Sequence, residues 1–305
     1  MVFIETPLGK AWEAYDDSAS HRFFTYSQVV IMLVLFELFL WMAQTEHLYE
    51  YTGEKVWMLV SLIFPARTTW FSLGIIGFGL YYCITDWMGI KNFAEKKADR
   101  EKAAKDKKFK PAPKGAYRPN WYYLLFQLFE GLIYGSLMFA LLKWGVWIFM
   151  LIATPDPDIP IPLDASISMQ DIHSNPIQDL ALAFGGGFYE ELIFRGFLFW
   201  WLVYAGKKIK FLKDFDIDVE PVRFLKTYQI AGSWKDGKVL TVILTGCLIY
   251  SLSHYLFPWG DTLSWYSFLH RFFFGLIMYA IFVNRKFPVA AWTHAVYMTW
   301  YFIFY

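Results

Sequence analysis

Two adjacent glutamates, Glu190 and Glu191, lie with Arg195 inside an apolar stretch of membrane-spanning length, Leu180 to Tyr204. A charged side chain near the centre of a bilayer costs about 2.5–3.5 kcal/mol on insertion scales, so such residues are usually paired and functional. Further polar groups recur in later apolar runs: Tyr250-Ser-Leu-Ser-His254, Phe268-Leu-His270-Arg271 and Trp292-Thr-His294. In a helix, positions i and i+4 share a face, which puts Glu191 beside Arg195 in the favourable order for an ion pair. Glu190 is turned about 100° away. One carboxylate is then neutralised by its own helix, and the other is left to meet a group from another helix. His254 and His294 are the candidates. A carboxylate and an imidazole around one buried water form a general-base pair, and a second histidine can donate to a developing oxyanion. That is the outline of a glutamate-dependent hydrolase without a covalent nucleophile. The bland alternative is a buried polar cluster that only holds helices together. Two Glu and two His also make a zinc ligand set, but the carboxylates are adjacent and no His-Glu-x-x-His helix is present. The expectation is therefore no metal and no cofactor.

The elements that must position these groups read as membrane spans. The chain has 305 residues, 57% of them hydrophobic, which exceeds the share usual in soluble domains. A span needs about 20 apolar residues. Seven runs qualify: Phe23–Ala43, Thr69–Trp87, Tyr122–Ile152, Gln178–Tyr204, Val239–Phe257, Ser267–Val283 and Val289–Tyr305. The shorter Val56–Phe64, followed by Pro65, is an eighth candidate or an interfacial piece. The expected fold class is all-α, a polytopic transmembrane helical bundle of 7–8 spans. The first run is too long for a signal-peptide core and reads as an uncleaved anchor. Residues 1–90 form N-terminal spans, 91–118 a basic loop and 119–305 the membrane core.

Charge in the loops assigns the sides. Residues 91–118 carry eleven basic residues against four acidic ones, while 154–175 carry four aspartates and no Lys or Arg. The segment 206–238 is again rich in Lys and Arg, and Arg285-Lys286 marks a last turn. The positive-inside rule then puts the N-terminus in the cytoplasm and the C-terminus outside, in a plasma (inner) membrane. Net charge is +1, so nothing draws the chain globally to nucleic acid. Lipids and membrane-tethered peptides or proteins are the expected partners. The basic loop reads as a topology signal and tether, with docking to anionic lipid as the sharper alternative. An aromatic content of 22% would also suit a subunit packed against other membrane proteins. Cys83 and Cys247 fall in apolar runs and read as small core residues. Glu37, Glu130 and Lys143 read as helix-pairing or partner contacts, and His270-Arg271 as topological or packing residues. A small hairpin is conceivable around Tyr228–Gly237.

Three patterns, in order, resemble a known family. Glu190-Glu191-Leu-Ile-Phe-Arg195 fits the EExxxR motif of the CPBP family, the CAAX-processing-like intramembrane endopeptidases. Tyr250-x-x-x-His254 fits its aromatic-x-x-x-His motif, and Phe272-Phe-Phe-Gly275 resembles its Phe-rich segment. His294 stands where the family's His-x-x-x-Asn motif begins. The likeness covers about residues 176–305. It implies a helical-bundle membrane protease in which Glu190 and His254 activate water, His294 stabilises the oxyanion, and Glu191 and Arg195 order the site. Family members cleave near the C-terminus of prenylated proteins or process other membrane-associated peptides, and some act as scaffolds. This chain departs from the pattern at Met298, which replaces the Asn. A thioether cannot donate a hydrogen bond. Tyr297 or Thr293 are the candidates to substitute as oxyanion donors.

Two functional readings follow. One is a glutamate-dependent intramembrane endopeptidase. The other is a non-catalytic scaffold or subunit of a larger membrane complex, favoured by Met298 and by the extra N-terminal spans. Straight helices raise a difficulty of depth. They set His254 and His294 roughly 15 Å apart in height at about 1.5 Å per residue. Breaks at Gly185–Gly187 or Pro288 would be needed to bring them together.

Overall fold

A computed structural model describes residues 22–43, 68–87, 122–153, 176–209, 211, 237–255 and 263–304. Every regular element among them is helical: α1 (Arg22–Ala43), α2 (Thr68–Trp87), α3 (Tyr122–Ala153), α4 (Pro176–Glu190), a π-helical segment (Glu191–Leu198), α5 (Phe199–Lys208), α6 (Gly237–Ser253) and α7 (Trp265–Phe304). These helices coincide with the seven apolar runs. Three contain windows long and apolar enough to cross a membrane, namely Thr25–Ala43, Tyr122–Val146 and Trp265–Phe304, and shorter apolar helices occur at Ser72–Thr85 and Gly237–Ser253. Val56–Phe64, the basic loop, the acidic loop 154–175 and most of 206–238 lie outside the described residues, as does the suggested hairpin.

One apolar core runs through the bundle. It joins Leu33 and Phe36 of α1, Met138 of α3, Phe188 of α4, Phe199 of α5, Ile243 of α6 and Phe287 of α7. Helix directions follow from the contacts. Val30 of α1 lies against Gly79 of α2, and Phe39 packs on Phe184 while Phe36 packs on Tyr189. Both pairings are antiparallel. α3 and the end of α7 instead run parallel, with Gly135 at Val296 and Phe139 at Phe304.

Polar bonds stitch the N-terminal helices to the rest. Gln28 of α1 donates to Gln127 of α3, and the Ser72 and Tyr189 hydroxyls are hydrogen-bonded at 2.6 Å. In an apolar surrounding these partners have no water to turn to, so the bonds fix helix register. The cysteines are free thiols, Cys247 wholly buried and Cys83 beside the Ser27 hydroxyl.

Two local irregularities shape the second half. The glycines 185–187 do not break their helix, as the sequence suggested they would. They stay helical within α4 and allow close packing: a Cβ on Gly187 would sit 2.9 Å from the Ala291 carbonyl oxygen of α7. The irregularity comes four residues later, as the π-helical segment that starts at Glu191. Its widened turn leaves backbone carbonyls off the regular ladder. That of Phe194 accepts a 2.8 Å bond from the Tyr279 hydroxyl of α7. The second irregularity is in α7, where Lys286 has φ 72° and ψ 175°. This divides α7 into two limbs, matching the two runs read from the sequence, with Pro288 in the first turn of the second limb, where a missing N–H costs nothing.

An ion pair sits beside that break. Arg285 donates from Nε to Glu130 Oε1 at 2.5 Å and from Nη2 to Oε2 at 2.8 Å. Glu130 is thus a helix-pairing residue. It lies in the first half of α3, and Arg285 at the end of the first limb of α7.

Candidate functional site

The boundary between α4 and the π-helical segment falls between the two glutamates. Glu190 closes α4 and Glu191 opens the wider turn. Even in that turn Arg195 faces Glu191, with Nη1 donating to Oε1 at 3.0 Å and both side chains 0% exposed. Three aromatic rings enclose the guanidinium, with centroids at 4.3 Å (Tyr250), 5.4 Å (Tyr279) and 5.8 Å (Phe274). Their electron-rich faces compensate part of its lost hydration.

His294 arrives from the second limb of α7. Its Nδ1 is 2.7 Å from Glu191 Oε1 and its Nε2 is 3.9 Å from Glu190 Oε2. An ionised carboxylate only accepts, so Nδ1 donates to Glu191 and Nε2 is the ring nitrogen on the Glu190 side. Glu191 therefore does two tasks, neutralising Arg195 and orienting the His294 ring. Phe274 packs edge-on against the imidazole at 4.7 Å.

Glu190 also receives a hydrogen bond from the Tyr250 hydroxyl, Oη to Oε2 at 3.1 Å. This tyrosine is the residue that sequence reasoning missed, although it is the first member of the aromatic-x-x-x-His pattern. Its signal was present: it is a hydroxylated aromatic one helical turn from His254. Its ring carries the His254 imidazole at 5.0 Å, and its backbone carbonyl is 2.9 Å from His254 Nδ1. His254 is half-buried in the turn after α6 and reaches the cluster through Tyr250. The depth difficulty is resolved in this way: Tyr250, one turn below His254, extends its side chain to Glu190.

The other expected donors have partners elsewhere. The Thr293 hydroxyl donates to the Val289 carbonyl at 2.7 Å, and the Tyr297 hydroxyl is 2.5 Å from His270 Nε2. His270, read as a topological or packing residue, is half of this polar pair. Met298 packs against the apolar core. Among the described residues, no group of three or more His, Cys, Asp or Glu has the arrangement to hold a metal ion.

The assembled set is a connected line: Arg195, Glu191, His294, Glu190, Tyr250. Exposure rises along it as far as Glu190. Arg195 and Glu191 are 0% exposed and His294 2%, while Glu190 reaches 16%. The arrangement can hold an imidazole and a carboxylate against one small molecule, with a counter-charged pair behind them.

Apolar helices around a buried Glu–Arg–His cluster define an integral membrane protein whose polar site lies within the helical bundle. Residues 173–300 match the family described as Type II CAAX prenyl endopeptidase Rce1-like, which supports the CAAX-protease-like resemblance carried by the motifs in this part of the chain. No curated protein and no solved structure matches the chain significantly.

Proposed function

We propose that the protein is a glutamate-type intramembrane endopeptidase acting on membrane-tethered peptides, with Glu190 as general base. The observation that carries this is the exposure step between neighbours: Glu191 is sealed at 0% and Glu190 is 16% exposed. A structural cluster has no need to keep one carboxylate accessible. In this mechanism a water sits between Glu190 Oε2 and His294 Nε2, whose 3.9 Å separation suits a bridging oxygen at hydrogen-bond distance from each. Glu190 takes the water's proton, and the oxygen attacks the peptide carbonyl carbon. Glu191 and Arg195 hold His294 in place. His254, in the turn after α6, packs on the ring of Tyr250, whose hydroxyl meets Glu190, and acts there beside the general base.

The surrounding architecture belongs to the same proposal: seven or eight spans in a plasma (inner) membrane, the N-terminus cytoplasmic and the C-terminus outside, and lipids and tethered peptides as partners. The packing directions of the helices and the Glu130–Arg285 pair support the alternation.

The scaffold reading, in which the chain is a non-catalytic subunit of a larger membrane complex, has one observation in its favour. Met298 fills with apolar packing the position one turn beyond His294. Purified protein in lipid vesicles, given fluorogenic peptides with and without a prenylated cysteine, separates the two. The parent protein should cleave, and Glu190→Gln should lose about 10²–10⁴-fold in rate while remaining folded. Equal rates for parent and Glu190→Gln would sink the protease and leave the scaffold.

A further inference from the structure

We infer that Tyr250 is the oxyanion donor of this site. The inference rests on the protease reading and adds a catalytic residue to it. The Tyr250 hydroxyl reaches the same carboxylate oxygen, Glu190 Oε2, that His294 Nε2 approaches. A water poised at that oxygen delivers its nucleophilic atom to a carbonyl whose own oxygen then lies within reach of the hydroxyl. Tyr250 is 3% exposed and held rigidly, stacked on Phe274 at 5.8 Å and edge-on to Phe194 at 4.9 Å, with the Arg195 guanidinium over its ring. With the ring fixed in an apolar surrounding, only the O–H has to turn as charge develops.

The reaction itself moves the hydrogen bond. Before attack the negative charge is on Glu190, and the hydroxyl donates to it. The water oxygen bonds to the carbonyl carbon, its proton passes to Glu190, and the carbonyl π pair moves onto the carbonyl oxygen. Protonated Glu190 is now the poorer acceptor and the new oxyanion the better one, so the hydroxyl swings from one to the other. When the tetrahedral adduct collapses, the C–N bond breaks, Glu190 returns its proton to the leaving amine, and the hydroxyl returns to Glu190. The Thr293 and Tyr297 hydroxyls have other partners, and Met298 offers none, which leaves Tyr250 as the donor placed at the reacting carboxylate.

Tyr250→Phe tests this, because it removes one oxygen and keeps the ring that Arg195 and His254 pack on. The variant should stay monodisperse and lose about 10²–10³-fold in kcat with KM unchanged. Met298 shares a helical face with His294, one turn on. An amide there should supply a replacement donor, so Met298→Asn should recover at least about tenfold of kcat in the Tyr250→Phe background. A loss carried by KM, or a kcat loss that Met298→Asn leaves untouched, assigns the hydroxyl to binding or packing and overturns the inference. Parent-like rates for Tyr250→Phe beside an inactive Glu190→Gln overturn it while the protease reading stands. Parent-like rates for both overturn the two together.

Discussion

The Glu130–Arg285 and Glu191–Arg195 pairs each join a carboxylate to a guanidinium inside an apolar bundle, yet they are built to different ends. In the first pair, both carboxylate oxygens are met by the guanidinium in a fork, and the partners come from separate helices. It is a closed clasp between α3 and α7, beside the break. In the second pair the partners are four residues apart on one segment, a single guanidinium nitrogen is engaged, and the same Glu191 oxygen is shared with His294. A saturated pair fixes backbone positions. A shared one leaves capacity to orient a third group, and here that group faces the accessible carboxylate. The lesson is that charge in a membrane helix becomes a working site through what remains to be satisfied after pairing.

Substitutions can break this contrast, beginning with the largest effect. Glu191→Leu strands a buried guanidinium and frees His294. It should cost about 3–5 kcal/mol of stability, read as a large fall in thermal unfolding midpoint or loss of monodisperse protein in detergent. A midpoint near that of the parent would show that Glu191 carries no structural charge. Glu130→Leu acts nearer the bundle's rim, on a residue 11% exposed, and should cost about 1.5–3 kcal/mol in the same assay. Adding Arg285→Met should then return most of it, because a clasp can be replaced by apolar packing. The matching replacement at the site, Glu191→Leu with Arg195→Met, should recover much less, since His294 still lacks its acceptor. Similar recovery in both double variants would erase the distinction between the pairs.

Arg195→Lys keeps the charge but loses the flat face that three rings enclose, and should cost about 1–2 kcal/mol. The corresponding Arg285→Lys should lose one of two hydrogen bonds and less stability. The smallest effect is expected at the break itself. Lys286 occupies φ 72°, ψ 175°, a region essentially reserved for glycine. Lys286→Gly should therefore raise stability by about 1 kcal/mol after the loss of chain entropy is counted. A lower midpoint would mean that the lysine side chain contributes more than the backbone strain removes.

Much of this was legible in the residue order. Apolar runs marked the helices to within a few residues, because a span in lipid must be long, apolar and hydrogen-bonded within itself. The split between the glutamates followed from helical spacing alone: Arg195 four residues after Glu191 fixed which one is tied. Other features were not legible. The break was expected at the glycines or at Pro288. The glycines instead stay helical and the chain widens at Glu191, while the break at Lys286 falls where the sequence placed a turn between two apolar runs, two residues before Pro288. Tyr250 was visible as half of a pattern, but its hydroxyl's target was not.

The sequence by itself determined the all-helical class, the apolar segments, the Glu191–Arg195 pairing and the family likeness of residues 173–300. These depend on composition and on spacings within one helix, which a linear pattern specifies. Only the tertiary structure decided that His294 bridges the two glutamates, that Tyr250 rather than His254 touches Glu190, and that Glu130 clasps Arg285 across 155 residues. Those contacts depend on helix rotation and height. Both are set by the summed packing of glycine contacts, aromatic rings and two irregular turns, and no single stretch of sequence encodes that sum.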